Sequence, residues 1–284
     1  MTILCFGKHG LVSSELMRKL PGMCHRTVLG LSHRDCDITD STAIWDWITR
    51  YRPTHIINAA AFTDVDACES QPEQAYAVNS APLPTMCRAA ESVGATLIHL
   101  STDYVFDGRQ STPYTETDGP NPLNVYGASK YQAECAINDH NSSAYILRVQ
   151  WLFGPDRRNF VDAILAKASQ TDSLSVVADQ WGSPTAASTV VAAIGALIQH
   201  APPLGIYHLR SQEHTSWYEF ARYFLALCGI STPVIPISTD AANRPAKRPL
   251  NGVMSIDKWL DTGMYAPPSW TESVRQYVNL YPYI

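Results

Sequence analysis

The chain has 284 residues, 45% of them hydrophobic and 17% charged, which excludes a wholly disordered polymer and supplies material for about two domains or one large α/β unit. Lys and Arg number 21 against 26 Asp and Glu, a net charge of −5 with a pI near 6.0 and no basic block, so no nucleic-acid partner is expected. No apolar stretch approaches the roughly 18 uncharged residues of a membrane span. The apolar opening at residues 2–6 has no basic segment before it and no small-residue cleavage site after it. The seven cysteines are odd in number and contain no C-x-x-C pair. These features predict a cytoplasmic protein with reduced thiols and no membrane partner.

The first half alternates strand and helix. Residues 2–6 form a short apolar run closed by Gly7, which predicts a buried strand. Residues 11–20 carry apolar side chains at helical spacing, with Pro21-Gly22 as the expected stop. A second strand is predicted at 27–31, and a helix capped by Asp40-Ser41 runs to about Arg50. A third strand covers 55–60, and a long helix, bent near Pro82 and Pro84, covers about 74–93. A fourth strand at 96–101, a helix from Tyr126 to about Asn138 and a strand at 144–149 follow. Further strands are expected at 174–177 and 205–209, and helices at 186–200, after Ser216 and after Ser269. The stretch with Pro233, Pro236, Pro245 and Pro249 reads as loop.

Strands alternating with helices at this spacing predict an α/β fold with a doubly wound, Rossmann-like parallel sheet. The expected division is a dinucleotide-binding domain over 1–150, to which later segments return, and a smaller, mainly substrate-binding part over 151–284.

Three groups of residues point to chemistry. Gly7-Lys8-His9-Gly10-Leu11-Val12-Ser13 lies between the first strand and the first helix, where a dinucleotide turn belongs. Gly7 suits the tight turn, Gly10 suits close approach of a pyrophosphate, and Ser13 is small enough for helix–sheet packing. No carboxylate directly follows the second strand; Ser32, His33 and Arg34 suit a 2′-phosphate, which predicts NADPH, with NADH as the alternative. Tyr126 and Lys130 are spaced i, i+4 on one helical face. An ammonium near the phenol is expected to lower its pKa, and the phenol can then donate a proton to a ketone as hydride arrives. Upstream, Thr102 at the end of the fourth strand offers a hydroxyl, and Asp103 and Tyr104 a carboxylate and a second phenol.

These motifs resemble the dTDP-4-dehydrorhamnose reductase family of the extended short-chain dehydrogenase/reductase superfamily. The resemblance is carried by residues 7–10 (GKHG), 58–70 (NAAAFTDVDACES), 101–108 (STDYVFDG) and 122–130 (PLNVYGASK), and later by 148–151, 179–185 and 247–249. It implies hydride transfer from NAD(P)H to the C4 ketone of a dTDP-linked sugar, with Tyr126 as proton donor, Lys130 as its partner and Thr102 on the reacting oxygen. It further implies that Asp103, Tyr104 and Trp151 line the sugar site. Gly7, Gly10, Leu11, Val12, Asp37, Ile38, Ala59, Ala60, Ala61 and Thr63 would hold the cofactor together with Tyr126 and Lys130. A magnesium ion held by glutamates occurs in some relatives; only Glu15 matches, and Ser188 stands where a second Glu is needed, so no metal and a monomer or homodimer are expected. Residues 251–254 (NGVM) depart from the family's Asn-Ser-x-Leu. The alternatives left open are a reductase for another nucleotide-linked 4-keto-6-deoxyhexose, a dehydratase or epimerase, and a non-catalytic regulatory subunit resembling that of methionine adenosyltransferase.

Overall fold

The computed structural model describes residues 2–140 and 143–281. In chain order the elements are β1 (Thr2–Phe6), α1 (Leu11–Cys24), β2 (Thr27–Leu31), α2 (Ser41–Tyr51), β3 (His55–Asn58), α3 (Val65–Ser70), α4 (Pro72–Asn79), α5 (Leu83–Val93) and β4 (Thr96–Thr102). A 3-10 turn at Asp103–Val105 precedes α6 (Val125–Asp139), β5 (Ala144–Val149), β6 (Leu152–Phe153), α7 (Phe160–Ala168) and β7 (Leu174–Val177). Then come β8 (Trp181–Gly182), β9 (Thr185–Ala186), α8 (Ala187–His200), β10 (Gly205–Leu209), β11 (Thr215–Ser216) and α9 (Trp217–Leu227). The chain closes with β12 (Val234–Ile237), α10 (Thr239–Ala242), α11 (Asp257–Asp261) and α12 (Trp270–Leu280).

Six strands form one parallel sheet in the order β2-β1-β3-β4-β5-β10. Order runs outward from β1 in both directions, so the strand ends beside β1 and β3 are the crevice where ligands bind in such sheets. Side-chain alternation divides the core. Ile3, Cys5, Ile57, Ile98 and Leu147 pack on one face against α1 and α8. Leu4, Phe6, Ile56, Leu97 and Ile146 pack on the other against α2, α5 and α6. Both faces are covered, which is why these strands read as apolar runs. A separate aromatic cluster of Phe153, Phe220, Phe224, Trp270 and Tyr277 holds β6, α9 and α12 beside the sheet.

The parallel sheet and its element order agree with the sequence reading; several boundaries do not. Helix α1 runs through Pro21 to Cys24 before His25 turns left-handed at φ 50°. Proline there removes one i to i−4 hydrogen bond, and the helix continues for only the one turn that Pro21 opens. The long helix expected over 74–93 is two helices, α4 and α5. Chain turns at Ser80–Pro82, and Pro84 fits the first turn of α5, where no N–H is needed. Strand β3 stops at Asn58 rather than at residue 60, freeing the following alanines from the sheet. The elements not foreseen are mostly short: α3, α10, α11 and β12 are four to six residues long, several strands have two residues, and α7 with nine residues is the exception. Asp64 caps α3 through Ala67 N at 3.0 Å, and Ser238 caps α10. The short β12 tolerates Pro236 in a two-stranded pairing with β7.

Deep in the molecule, Glu134 of α6 and Arg148 of β5 form a charge pair with both side chains 1% exposed. Arg148 Nε donates to the carboxylate at 3.0 and 3.2 Å, and its guanidinium lies 5.0 Å over the Phe106 ring. Ser101 Oγ of β4 donates to the same carboxylate, so three elements meet at one group. Glu134→Gln leaves Arg148 buried without a counter-charge, and is expected to cost about 3–5 kcal/mol. Urea unfolding checks this, with the doubly apolar Glu134→Leu/Arg148→Met variant expected to recover most of the loss.

Candidate active site

At the end of β1 the chain turns at Gly7, whose φ of +86° favours glycine. A Cβ at that position would also stand 2.8 Å from the Ala60 backbone, so the turn and the segment after β3 come together only without a side chain. Gly10 N donates to Gly7 O at 2.8 Å and starts α1, which has no side-chain cap on its first-turn N–H groups. Leu11 and Val12 follow at the mouth of a cleft of about 1140 Å³. Asp37, Ile38, Ala59, Ala60, Ala61 and Thr63 all line the same cleft, as do Ser32 and His33. Thr39 donates to Asp37 through its N–H at 2.9 Å and its hydroxyl at 2.8 Å, which holds the Asp37 carboxyl below the usual range.

Arg34 is the exception. It is exposed and lies outside the lining of the cleft. No carboxylate directly follows β2; the first after it is Asp35, outside the lining of the cleft. Asp35 folds back so that Ser32 N and Oγ donate to its Oδ2 at 2.8 and 2.6 Å, which lowers its pKa to about 2. Lys8, the cation within the glycine turn, lies 3.5 Å from the same oxygen.

The far end of the cleft is built where β4 ends. Thr102 caps the 3-10 turn, accepting from Tyr104 N at 3.2 Å while its hydroxyl donates to Asp103 Oδ1 at 3.1 Å. Asn124 caps α6 through Gly127 N at 2.8 Å. A Cβ on Gly127 would stand 2.1 Å from the Tyr104 carbonyl oxygen, so glycine alone lets α6 lie against that turn. The consequence is that Tyr126 meets Tyr104 edge to face at 5.7 Å. Thr102, Asp103, Tyr104, Tyr126, Lys130 and Trp151 all line the cleft.

Electrostatics at this end differ from expectation in one respect. Burial pushes the Tyr126 hydroxyl up, with the Thr102 hydroxyl pulling it back, so the phenol is held protonated instead of lowered. Lys130 donates to Leu100 O at 2.6 Å and lies 3.1 Å from His99 Nε2, bonding the strand rather than the Tyr126 hydroxyl. Burial lowers the Lys130 amine to about 8, against the field of Glu134. Burial also raises Asp103 to about 6, although Gln150 Nε2 donates to it at 3.0 Å.

Trp151 has the left-handed φ of 44°. Its ring stacks on Trp217 at 3.7 Å and 13°, and a Cβ on Gly182 would stand 2.5 Å from its Cε2 atom. Phe160 extends the wall, 4.4 Å from Trp217. The strained backbone is thus held by a slot that admits a flat ring. Trp217, Gln150, His99 and Arg157 were not identified from sequence. Trp217 was visible only as a position after a cap, and Gln150 only as part of a resembling segment. Arg157 carries no motif, yet its Nε donates to His9 O across the cleft mouth.

Both oxygens of Glu15 are engaged, one by Arg18 and the other by Lys19 at 2.6 Å. Among the described residues no group of three His, Cys, Asp or Glu side chains is arranged to hold a metal, and no helix is long and apolar enough to cross a membrane.

Residues 1–282 match the family described as RmlD substrate binding domain. The chain belongs to the RmlD family. It is therefore an NAD(P)-dependent reductase of the short-chain dehydrogenase/reductase type. It is similar to the dTDP-4-dehydrorhamnose reductase of Shigella flexneri, 34% identical over 98% of this chain and 97% of that one. It is also similar to the spore coat polysaccharide biosynthesis protein SpsK of Bacillus subtilis, 33% identical over 98% and 96%. Among solved structures, a dTDP-4-dehydrorhamnose reductase from Clostridium acetobutylicum matches with a TM-score of 0.95 and 35% identity over 99% of both chains. The enzyme of that name from Bacillus anthracis, solved in complex with NADP, matches with a TM-score of 0.95 and 30% identity, again over 99% of both. Epimerase and dehydratase structures at 16–19% identity share the fold alone.

The geometry of this RmlD-family chain inverts an ordinary helix substitution. Gly22→Ala, in a part of α1 with open space around it, is expected to stabilise by up to about 1 kcal/mol. Gly127→Ala is expected to destabilise and to lower activity together, because the new methyl forces α6 off the Tyr104 carbonyl. Thermal unfolding of the two variants beside the parent checks the opposite signs.

Proposed function

We propose that this protein reduces the C4 ketone of dTDP-4-dehydro-L-rhamnose to dTDP-L-rhamnose with NAD(P)H. The observation that carries the reading is the convergence of Thr102, from a strand end, and Tyr126, from a helix start, in the cleft that opens at the glycine turn. Names of relatives in the RmlD family support the sugar.

The residues present fit a dinucleotide. A side chain at Gly7 would collide with the Ala60 backbone, and the uncapped N-terminus of α1 offers N–H groups to a pyrophosphate. Gly7, Gly10, Leu11 and Val12 would hold that pyrophosphate, Asp37 and Ile38 the adenosine side, and Ala59, Ala60, Ala61 and Thr63 the segment towards the reacting end. When bound, the cofactor supplies the hydride. Tyr126, kept protonated by its burial, gives its hydroxyl proton to the ketone oxygen, and Thr102 hydrogen-bonds the same oxygen. Lys130 places positive charge by the phenolate left behind. Asp103 and Tyr104 contact the sugar, and Trp151, fixed by Trp217, gives it a flat apolar wall. Aromatic closure also keeps water from the reacting carbon.

Binding of both NADPH and NADH is part of this reading. Arg34 remains the candidate for a 2′-phosphate by its place after β2, but Asp35 holds Ser32 and sets a negative charge beside it. Asp35→Asn is expected to shift the ratio of NADPH to NADH affinity towards NADPH by about tenfold. Fluorescence titration of both cofactors checks this, and an unchanged ratio removes the role given to Asp35.

A second reading, reduction of another nucleotide-linked 4-keto-6-deoxyhexose, is favoured by the similarity to SpsK and by the NGVM segment, whose Gly252 lies against Asp103. The deciding experiment follows loss of NADPH absorbance with freshly prepared dTDP-4-dehydro-L-rhamnose and its epimers. Tyr126→Phe is expected to lower turnover by about 10²–10⁴-fold while leaving cofactor affinity within about twofold. Turnover at the parent rate in that variant would sink the proton-donor assignment. Tight cofactor binding without reduction of any sugar would favour the regulatory-subunit reading.

A further inference from the structure

Asp103 follows Thr102 where β4 ends, and it is 2% exposed. Among the described residues no cation is paired with its carboxyl. Oδ1 lies 3.1 Å from Thr102 Oγ1, and Oδ2 lies 3.0 Å from Gln150 Nε2. Towards Gly252 it meets bare backbone, where a Cβ would stand 2.7 Å from Oδ2. We propose that Asp103 sets the direction of the Thr102 hydroxyl by its own charge: as a carboxylate it accepts from Thr102, and as a carboxylic acid it donates to Thr102 and turns the Thr102 proton to the ketone oxygen. Asp103 is thereby a positioning residue, and the reductase works from its acid form. The inference rests on reading Thr102 and Tyr126 as the groups that meet the ketone.

The one proton of the Thr102 hydroxyl decides the matter. A threonine hydroxyl has that proton and two lone pairs. One lone pair accepts from Tyr104 N at 3.2 Å, a bond made by the 3-10 turn itself. With Asp103 ionised, the proton goes to Oδ1. The second lone pair then faces the Tyr126 hydroxyl, which is in hydrogen-bond contact with Thr102. Both hydroxyl protons point along this chain towards Asp103, and neither is presented to a ketone. With Asp103 protonated, the acid O–H fills the second lone pair instead. The Thr102 proton is then free for the ketone oxygen, and Tyr126, with no acceptor left on Thr102, keeps its proton for the same oxygen. An oxygen–oxygen distance of 3.1 Å serves either direction. Gln150 decides which carboxyl oxygen carries the acid proton. Its Oε1 accepts from Ser183 N at 2.9 Å, so its amide nitrogen faces Asp103 and donates to Oδ2. Oδ1, the oxygen against Thr102, is left for the proton. No proton leaves Asp103 or Thr102 during the reduction; the ketone oxygen gains the one that Tyr126 gives.

The surroundings bring the acid form within reach of neutral pH. Burial raises the Asp103 carboxyl to about 6, against the Gln150 and Thr102 donors and the N–H groups of the 3-10 turn. From that turn, the Tyr104 phenol is kept neutral by burial. From α6, Tyr126 is neutral for the same reason, and Lys130 is committed to Leu100 O and His99 of β4. From the segment between α10 and α11, Arg248 acts on Tyr104 and is held by Asp66 of α3. Gln150, after β5, and Gly252 bring no charge. A carboxylate at Asp103 therefore has neutral donors alone as its neighbours.

The test pairs the pH profile of kcat/KM for the 4-ketosugar with infrared difference spectra that need no substrate. The parent is expected to lose about tenfold in kcat/KM for each pH unit above about 6, a limb distinct from any set by Lys130 near 8. In Asp103→Asn the amide donates to Thr102 at every pH and accepts from Gln150. That variant is expected to lack the limb, so that its rate relative to the parent rises by about tenfold per pH unit. Thr102→Val removes the hydroxyl through which the charge acts, and its lower rate is expected to be flat over the same range. A parent without the limb, or a limb that survives in either variant, overturns the proposal. In the infrared, a carboxylic-acid C=O band is expected to titrate near pH 6 in the parent and to be absent from Asp103→Asn. It is expected to persist to higher pH in Thr102→Val, whose carboxylate has lost a donor. A carboxyl already ionised at about pH 5, or one indifferent to Thr102→Val, overturns the proposal. If no nucleotide-linked 4-ketosugar is reduced, the functional reading fails, while the band still reports the charge of Asp103 and its bond to Thr102.

Discussion

Helix α6 is fixed to the sheet by opposite charges from which water is excluded. Glu134 and Arg148 lie at 1% exposure, and their attraction is unscreened only because neither group can return to solvent without breaking the core. That one pairing joins α6 to β5, recruits Ser101 from β4 and reaches His208 in β10. Lys130 and Tyr126 stand one and two turns before Glu134 on the same helix. Their height and rotation over the strand ends follow from where the pair sits.

A second constraint acts at the other end of the helix. Gly127 lets the backbone of α6 touch the Tyr104 carbonyl, and Asn124 both caps the helix and donates to Lys247 O at 2.7 Å. The segment at 244–248 is in turn tied to α3, where Arg248 donates to Asp66 at 2.7 Å and Ala246 N donates to the same oxygen. Distant parts of the chain are thus drawn to the first turn of α6, so the proton donor is held from both ends. A reaction that depends on a phenol within hydrogen-bond reach of a carbonyl oxygen needs this rigidity, because small displacements cost large factors in rate.

The cleft divides its work between backbone and side chains. At the glycine turn the ligand surface is backbone: bare N–H groups and alanines that admit close approach. At the far end it is side chains with shifted acidity, each shift due chiefly to burial. Tyr126 stays protonated, Lys130 is poised near 8 and Asp103 near 6. One end offers bare backbone N–H groups to an anion, and the other can move a proton.

Much of this was legible in the linear sequence, since apolar runs and helical spacing are local properties. The strands of the parallel sheet, the glycine turn, and Thr102, Tyr126 and Lys130 could all be placed from neighbours within a few residues. Short elements such as α3 and α10 could not, because four to six residues span too few turns to show a period. What depended on contact between remote segments was decided by tertiary structure alone. Asp35 folds back on Ser32 after β2, and Arg34 is exposed outside the lining of the cleft it was expected to serve. Trp151 becomes a site wall because Trp217 and Gly182 hold it in a left-handed backbone. Tyr126 has its pKa moved up rather than down, because burial dominates and the lysine bonds the strand beside it. Sequence by itself determined which residues could do chemistry, through their types and local spacing. Tertiary structure decided which of them meet and in what charge state, because burial and approach across dozens of residues are set by the packed whole.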